Sequence, residues 1–305
     1  MGHEDKNSID DKFNIPMQTT KALYFQRGIS MKLVIEGKTK RVLERPDGNL
    51  EFHFKDDATG YIDQVTGKPV FDSGYDKVVG QIPGKGRVSC QFSSYLFRLL
   101  NSKGLPTHYV ETSADNIMVV KPATLLGANA ESDVDGAADL YNLEWVFRLQ
   151  AYGSFWRRYP NVKPGRRVNK LVEIYSKGLP GEPDILMVDD TPVELGIMTR
   201  EEVAYTKEVL RGIADVLTEE CERRGLHLID GKCEFGRDKD GNISLIDDIS
   251  PDVIRVCRGA KLDSEGNCTV ARECITTRVD EDGAKKITAK NLITPDELAA
   301  AFDIS

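Results

Sequence analysis

The segment LIDGKCEFGRDKDGNISLIDDISPDVIR, from Leu228 to Arg255, constrains the architecture more than any other stretch. Apolar and polar residues alternate on both sides of a DKDGN turn, the pattern of two antiparallel strands that each bury one face. Taking Asp240-Gly241 as a two-residue hairpin loop sets Glu234 opposite Asp247, and Asp230 and Lys232 share the face of Glu234. Ile229, Cys233 and Phe235 then turn with Ile246 towards a core, and Asp248 lies on the face away from Asp247. Two opposed carboxylates repel unless a cation lies between them. Magnesium is the economical choice, since it takes one or two carboxylates and leaves its other positions to water and substrate phosphates. Lys232 suits a phosphate or carboxylate on the same side. The plainer alternative is a solvated acidic strand pair.

A second hairpin, LVIEGKTKRVLERPDGNLEFHFKDDATG (33–60), alternates around PDGN. With Asp47-Gly48 as its loop, Lys40 faces Lys55 and Lys38 faces Asp57. Like charges directly opposed in a strand pair are unfavourable by roughly 0.2–1 kcal/mol. Such a pairing makes sense around an anion, and phosphate is the natural one for lysine. A solvated edge strand with protective lysines is the alternative. The loop Pro83-Gly84-Lys85-Gly86 opens a helix with Val88, Phe92, Leu96 and Leu99 on one face, and its backbone N–H groups suit an anion. It is not a Walker A motif. Between Trp145 and Arg167, five arginines (Arg148, Arg157, Arg158, Arg166, Arg167) interleave with aromatic residues. A small phosphorylated ligand held by bidentate arginine fits this better than single-stranded nucleic acid.

Composition supports that preference. A net charge of −8 excludes a non-specific nucleic-acid coat. No apolar run is long enough to span a bilayer, and the polar start MGHEDKNSIDDKFN is unlike a secretory signal. Six cysteines without a CxxC pair read as free thiols in a reducing cytoplasm. From Thr199 to Gly225 apolar residues recur at helical spacing, with a Thr199/Glu202 capping box and a Gly225 stop. GANAESDVDGAAD (127–139) reads as a loop, and the four histidines have no recognisable partners. Oligomeric state is left open, a homo-oligomer included.

GKTK with KDDATG, IPGKG, VFRLQAYGS and IDGKCEFG…IDDISPDVIR, in this order across residues 33–258, resemble the SAICAR synthetase family (phosphoribosylaminoimidazole-succinocarboxamide synthase) of purine biosynthesis. The resemblance implies a two-lobed α+β fold, kinase-like or ATP-grasp-like, with antiparallel sheets and ATP in the cleft. Residues 1–30, before Met31, read as a weakly ordered leader, followed by an N-terminal lobe with the phosphate-binding hairpin (31–142) and a C-terminal lobe with the metal and ribotide site (143–305). The resemblance also implies ATP-dependent joining of carboxyaminoimidazole ribonucleotide to aspartate through an acyl phosphate. By the same resemblance Lys38 and Lys40 approach the ATP phosphates, while Lys121 and Glu144 flank the adenine hinge. Glu234 and Asp247 hold magnesium. Arg148, Ser154 and Arg255 hold the ribotide phosphate, and Asp230 and Lys232 lie near the imidazole carboxylate, with Asp230 a possible base.

The chain departs from the family pattern at Gly231, where DFK is usual, and at Val256-Cys257-Arg258, where RLWD follows the arginine. Phe155-Trp156 stand in place of smaller residues, and the tail from Gly259 to Ser305 lacks the usual terminal helix pattern. Three alternatives stay open, the first of them raised by these departures. One is a paralogue with a different amine or ribotide, another a small-molecule or inositol-phosphate kinase. The third is a nucleotide-binding regulatory module.

Overall fold

The computed structural model describes residues 23–26, 29–71, 77–127, 143–176, 184–269, 275–279, 285–289 and 300–304. Most of the expected leader, and the 127–139 loop beyond Gly127, lie outside them. β1 (Leu23–Gln26) and β2 (Ile29–Glu36) are strands within or continuing from the expected leader. β3 (Lys40–Glu44) and β4 (Leu50–Phe54) follow. The strands β5 (Asp57–Ile62), β6 (Pro69–Phe71) and β7 (Val78–Gln81) form a small separate sheet. Helix α1 (Lys85–Ser102) then leads to β8 (Tyr109–Ala114) and β9 (Ile117–Val120), which complete a sheet ordered β1-β2-β3-β4-β9-β8.

A second sheet is built around β14 (Leu226–Arg237). β10 (Thr124–Leu125), β11 (Leu143–Gln150), β15 (Ile243–Ile246) and β16 (Ile254–Arg258) all pair with it antiparallel. Beyond β11 come β12 (Arg167–Ser176) and β13 (Ile185–Met187). Short helices α2 (Gly153–Arg158) and α3 (Thr191–Glu194) precede the long α4 (Arg200–Arg223). Two hairpins, β17 (Lys261–Leu262) with β18 (Cys268–Thr269) and β19 (Ile275–Val279) with β20 (Lys285–Ala289), close the chain. Antiparallel sheets with helices apart from them are the α+β arrangement.

Helix α4 has the expected ends. Thr199 Oγ1 accepts from the Glu202 N–H at 3.1 Å, Glu202 Oε2 accepts from the Thr199 N–H at 2.8 Å, and Gly225 takes φ 69°. Its stripe of Val203, Leu210, Ile213 and Leu217 enters one continuous core with Phe92 and Leu96 of α1, Phe52 and Met118 of the first sheet, and Trp145, Phe147 and Phe235 of the second. Gly86 in the first turn of α1 is forced by packing, since a Cβ there would lie 2.7 Å from the Phe54 carbonyl oxygen. The five described cysteines are buried. No described helix is long and apolar enough to cross a membrane.

Both hairpin registers differ by one residue from the expectation. Arg45 and Asn49 close a three-residue loop, as do Asp238 and Asn242, and Gly48 and Gly241 each take φ 84°. This is a type I turn with a glycine bulge. A two-residue type I′ loop needs positive φ at both positions, but among described non-glycine residues only Lys170, Asp247 and Asp303 are positive. Asp47 and Asp238 instead use their carboxylates to accept nearby backbone N–H groups. Lys40 therefore faces Phe54 rather than Lys55, and Glu234 faces Ile246 rather than Asp247. A further bulge at Ile229 switches side-chain parity along β14. Ile229 accordingly joins a small cluster with Tyr152, Cys257 and Cys268, away from Cys233 and Phe235.

The two sheets are tied directly. Thr107 forms a parallel bridge with Leu245; the His108 N–H donates to the Leu245 carbonyl at 3.0 Å, and the Leu245 N–H to the Pro106 carbonyl at 3.0 Å. The His108 carbonyl in turn accepts from the Lys121 N–H at 2.8 Å.

Candidate active site

The end of β15 brings carboxylates and lysines together by a route the alternation argument missed. Asp247, the residue after β15, sits in the left-handed region at φ 64°. That turn breaks the strand alternation, so Asp247 and Asp248 do not diverge to opposite faces. Both carboxylates reach the Lys40 ammonium, Asp247 at 2.6 Å and Asp248 closer still. Lys40 also lies over the rings of Phe52 and Phe54, 5.2 and 5.6 Å from their centroids. Burial alone would lower the Lys40 pKa, yet the two aspartates raise it. Against its own burial, Asp248 is held down at about 2 by Lys40. Asp247 is raised by burial and by Asp248, although Lys40 opposes this.

Glu234 and Glu144 are direct partners across β14 and β11. Glu144 Oε1 accepts from Lys232 Nζ at 2.7 Å. Burial, then Asp247, push the Glu234 carboxyl up to about 7, with Glu144 adding to the effect. Glu234 and Asp247 thus belong to one centre, as expected, through the turn at Asp247 rather than through direct opposition. Glu144, expected beside the adenine hinge, has its carboxylate on Lys232. Lys38 and Lys121 are both exposed.

Further along the same face of β14 lies a guanidinium cluster. Arg148, on β11, donates to Asp230 Oδ2 at 2.8 Å, Ser154 Oγ at 2.7 Å and Glu173 Oε2 at 2.9 Å. Arg255 grips both Asp230 oxygens, with Nε at 2.6 Å from Oδ1. Arg158 pairs with the other oxygen of Glu173. Although buried, Asp230 has a lowered pKa because Arg255 and Arg148 stabilise its anion. Gly153 takes φ 57°, and a Cβ there would lie 2.4 Å from an Arg255 nitrogen. Arg148, Ser154 and Arg255 therefore come together as expected, and Asp230, expected beside Lys232 at the imidazole carboxylate, joins them instead. Asp230 and Lys232, though neighbours on one face, answer to different partners.

Sequence reasoning left Asp248 out of the first group, gave Lys85 only an anion-suited loop, and counted Arg157 only as one of five arginines between Trp145 and Arg167. Arg157 is crowded by cations: burial, then Arg255, Arg148 and Arg158, lower its pKa. Lys85 pairs with Asp252 at 2.5 Å, and its charge helps lower Asp248. The glycine loop before α1 already holds an internal anion. Asp56 accepts from the Gly84 and Gly86 N–H groups at 3.1 and 2.9 Å, so this loop is not the open phosphate nest its sequence suggested.

The departures from the family pattern have local explanations. Gly231 faces Phe147 across the ladder, and a Cβ there would meet the Phe147 ring at 2.6 Å. Phe147 fills the space beside Gly231 on the core side of the sheet. Trp156 donates to the Val162 carbonyl at 2.7 Å and Phe155 packs on Tyr159, so both brace α2 against the turn that follows it.

Among the described residues no group of three or more His, Cys, Asp or Glu side chains is arranged to hold a metal ion. A magnesium site needs fewer, and the donor chemistry fits one: Glu234 and Asp247 are half-buried oxygen donors with raised pKa values, in a state a divalent cation would relieve.

A family model described as SAICAR synthetase matches residues 33–269. The phosphoribosylaminoimidazole-succinocarboxamide synthase of Clostridium tetani is 34% identical over 223 residues, covering 72% of this chain and 89% of that protein. The same enzyme from Chlorobaculum parvum is 35% identical over 239 residues, covering 77% and 89%. Among solved structures, a SAICAR synthetase with 31% identity superposes with TM-score 0.59 over 74% of this chain and 86% of the other. A type-2 SAICAR synthetase in complex with ADP gives 27% identity and TM-score 0.60 over 78% and 87%.

Proposed function

The chain belongs to the SAICAR synthetase family, and from that premise we propose that it joins carboxyaminoimidazole ribonucleotide to aspartate, as an ATP-dependent carbon–nitrogen ligase of purine biosynthesis. One observation carries the reading to the residues. Along a single face of β14, Asp230 anchors an arginine cluster, while Lys232 and Glu234 enter a lysine–carboxylate centre. A substrate with a phosphate at one end and a carboxylate at the other is matched by that order of charges.

The ribotide phosphate goes to Arg148 and Arg255, whose planar guanidiniums present paired donors to its oxygens, and to the Ser154 hydroxyl. Lys232 meets the imidazole carboxylate. Lys40, with Lys38 at the adjoining turn, meets the ATP phosphates, and Lys121 lies towards the adenine. Glu234 and Asp247 would hold magnesium, which when bound supplies positive charge for phosphoryl transfer. A carboxylate is a poor electrophile. Transfer of the terminal phosphoryl group to its oxygen releases ADP and makes an acyl phosphate. The amine nitrogen then attacks the acyl carbon, inorganic phosphate leaves, and an amide remains. The protein's part is to position and to neutralise charge rather than to supply a nucleophile. Asp230, already gripped by two guanidiniums that lower its pKa, is a poor proton acceptor; its role is to set the arginines.

ADP release measured with the ribotide and a panel of amino acids tests this. Aspartate should support turnover, and without an amine ADP should not exceed about one equivalent per enzyme, the acyl-phosphate step alone. Sustained release of a phosphorylated product without an amine would establish the kinase alternative. Faster turnover with another amino acid would make the chain a paralogue.

A further inference from the structure

Asp247 occupies the left-handed region, where a residue with a Cβ is disfavoured by about 1–2 kcal/mol. Something must hold it there, and the surroundings name the group. His108 is 4% exposed, set edge-on between the rings of Phe52 and Phe97 with centroids 5.5 and 5.6 Å away. Its Nε2 lies 3.2 Å from the Asp247 carbonyl oxygen. A carbonyl only accepts, so the ring proton sits on Nε2. Burial pushes the His108 pKa down to about 3, and the ring is therefore neutral. The backbone of His108 is fixed by Leu245 on one side and Lys121 on the other, so the ring is aimed from a rigid base.

We propose that His108 is a positioning residue, whose Nε2–H holds the 247–248 peptide plane and thereby directs both aspartates at one point. The carbonyl it binds belongs to the peptide joining Asp247 to Asp248. Fixing that plane fixes the direction in which each carboxylate leaves the chain, and both arrive at Lys40. Without the bond, the chain would be free to relax towards ordinary strand geometry, in which successive side chains diverge. The expected functional consequence rests on reading Asp247 as a metal-binding carboxylate, so its test includes a control for that reading.

Magnesium binding is measured by calorimetry with a non-hydrolysable ATP analogue present, on the parent protein and on H108F, H108Q and D247N. H108F keeps an aromatic ring between Phe52 and Phe97 but has no donor. It should weaken magnesium binding about tenfold, the lower end of what outer partners of metal ligands contribute. H108Q, whose side-chain amide can donate in place of Nε2, should bring binding back close to the parent. Parent-like binding by H108F, or binding by H108Q as weak as by H108F, overturns the proposal. Parent-like binding by D247N removes the metal reading instead. The crystal structure of H108F then decides the positioning role: a retained positive φ at Asp247 overturns it, and a lost one supports it. Should H108F not fold, the crystal structure of H108Q serves, with binding retained and the amide on the Asp247 carbonyl expected. Retained binding with that amide turned away overturns the proposal.

Discussion

Glu234 takes its high pKa, about 7, from burial and from the charges of Asp247 and Glu144. Because the folded value lies above the ordinary carboxylate value, the contribution to stability is full below the ordinary range and is lost as pH rises through about 7. The loss is on the order of 3 kcal/mol. E234Q cannot ionise and escapes it. The melting temperature of E234Q should therefore rise relative to the parent between pH 5 and pH 8, roughly the window in which the parent carboxyl titrates. Saturating magnesium should narrow that gap by stabilising the parent alone. A gap that does not change with pH would remove the buried, crowded carboxyl as its cause. At the same scale, Gly231 and Phe147 show what a single sequence conceals. Glycine at a family-divergent position suggests altered substrate contact, yet its partner across the ladder fills the space on the core side.

The elements were legible where periodicity is unambiguous. The cap, stripe and stop of α4 follow from Thr199, Glu202 and Gly225. The hairpins as elements were legible too, but their registers were not. DGN reads equally as a two-residue loop or as the end of a three-residue loop, and side-chain alternation accepts either choice if a nearby bulge absorbs the slip. Ile229 and Asp247 supply such irregularities, and neither position announces itself by residue type. Asp247 was therefore brought into the right group by an incorrect register, while Asp248 was left out of it. The actual loops make a stability prediction. Gly48 and Gly241 each carry φ 84° with open space at the Cβ position, so alanine meets only backbone strain there. G48A and G241A should each cost about 1–2 kcal/mol in urea unfolding. Little or no cost would mean that the loops rearrange to another type without penalty.

For the molecule as a whole, one core runs through both sheets, and Pro106–His108 join them at the candidate site. Substrate groups are thus met by residues far apart in sequence, Lys40 from β3 and Glu234 from β14 among them. That convergence is why local motifs name the chemistry without locating the partners. The arginine cluster has another consequence at this scale. Four guanidiniums (Arg148, Arg157, Arg158, Arg255) surround two carboxylates (Asp230, Glu173), an excess of positive charge on a chain whose net charge is −8. A dianion diffusing towards this protein is repelled by the average surface and drawn to this region, so the field itself favours one angle of approach. With screening over about 10 Å at 0.1 M salt, kcat/KM for the ribotide should fall as ionic strength rises, while kcat stays nearly constant. A salt-independent kcat/KM would mean that encounter is not guided. The charges that hold this cluster together are also what makes its ligand arrive phosphate first.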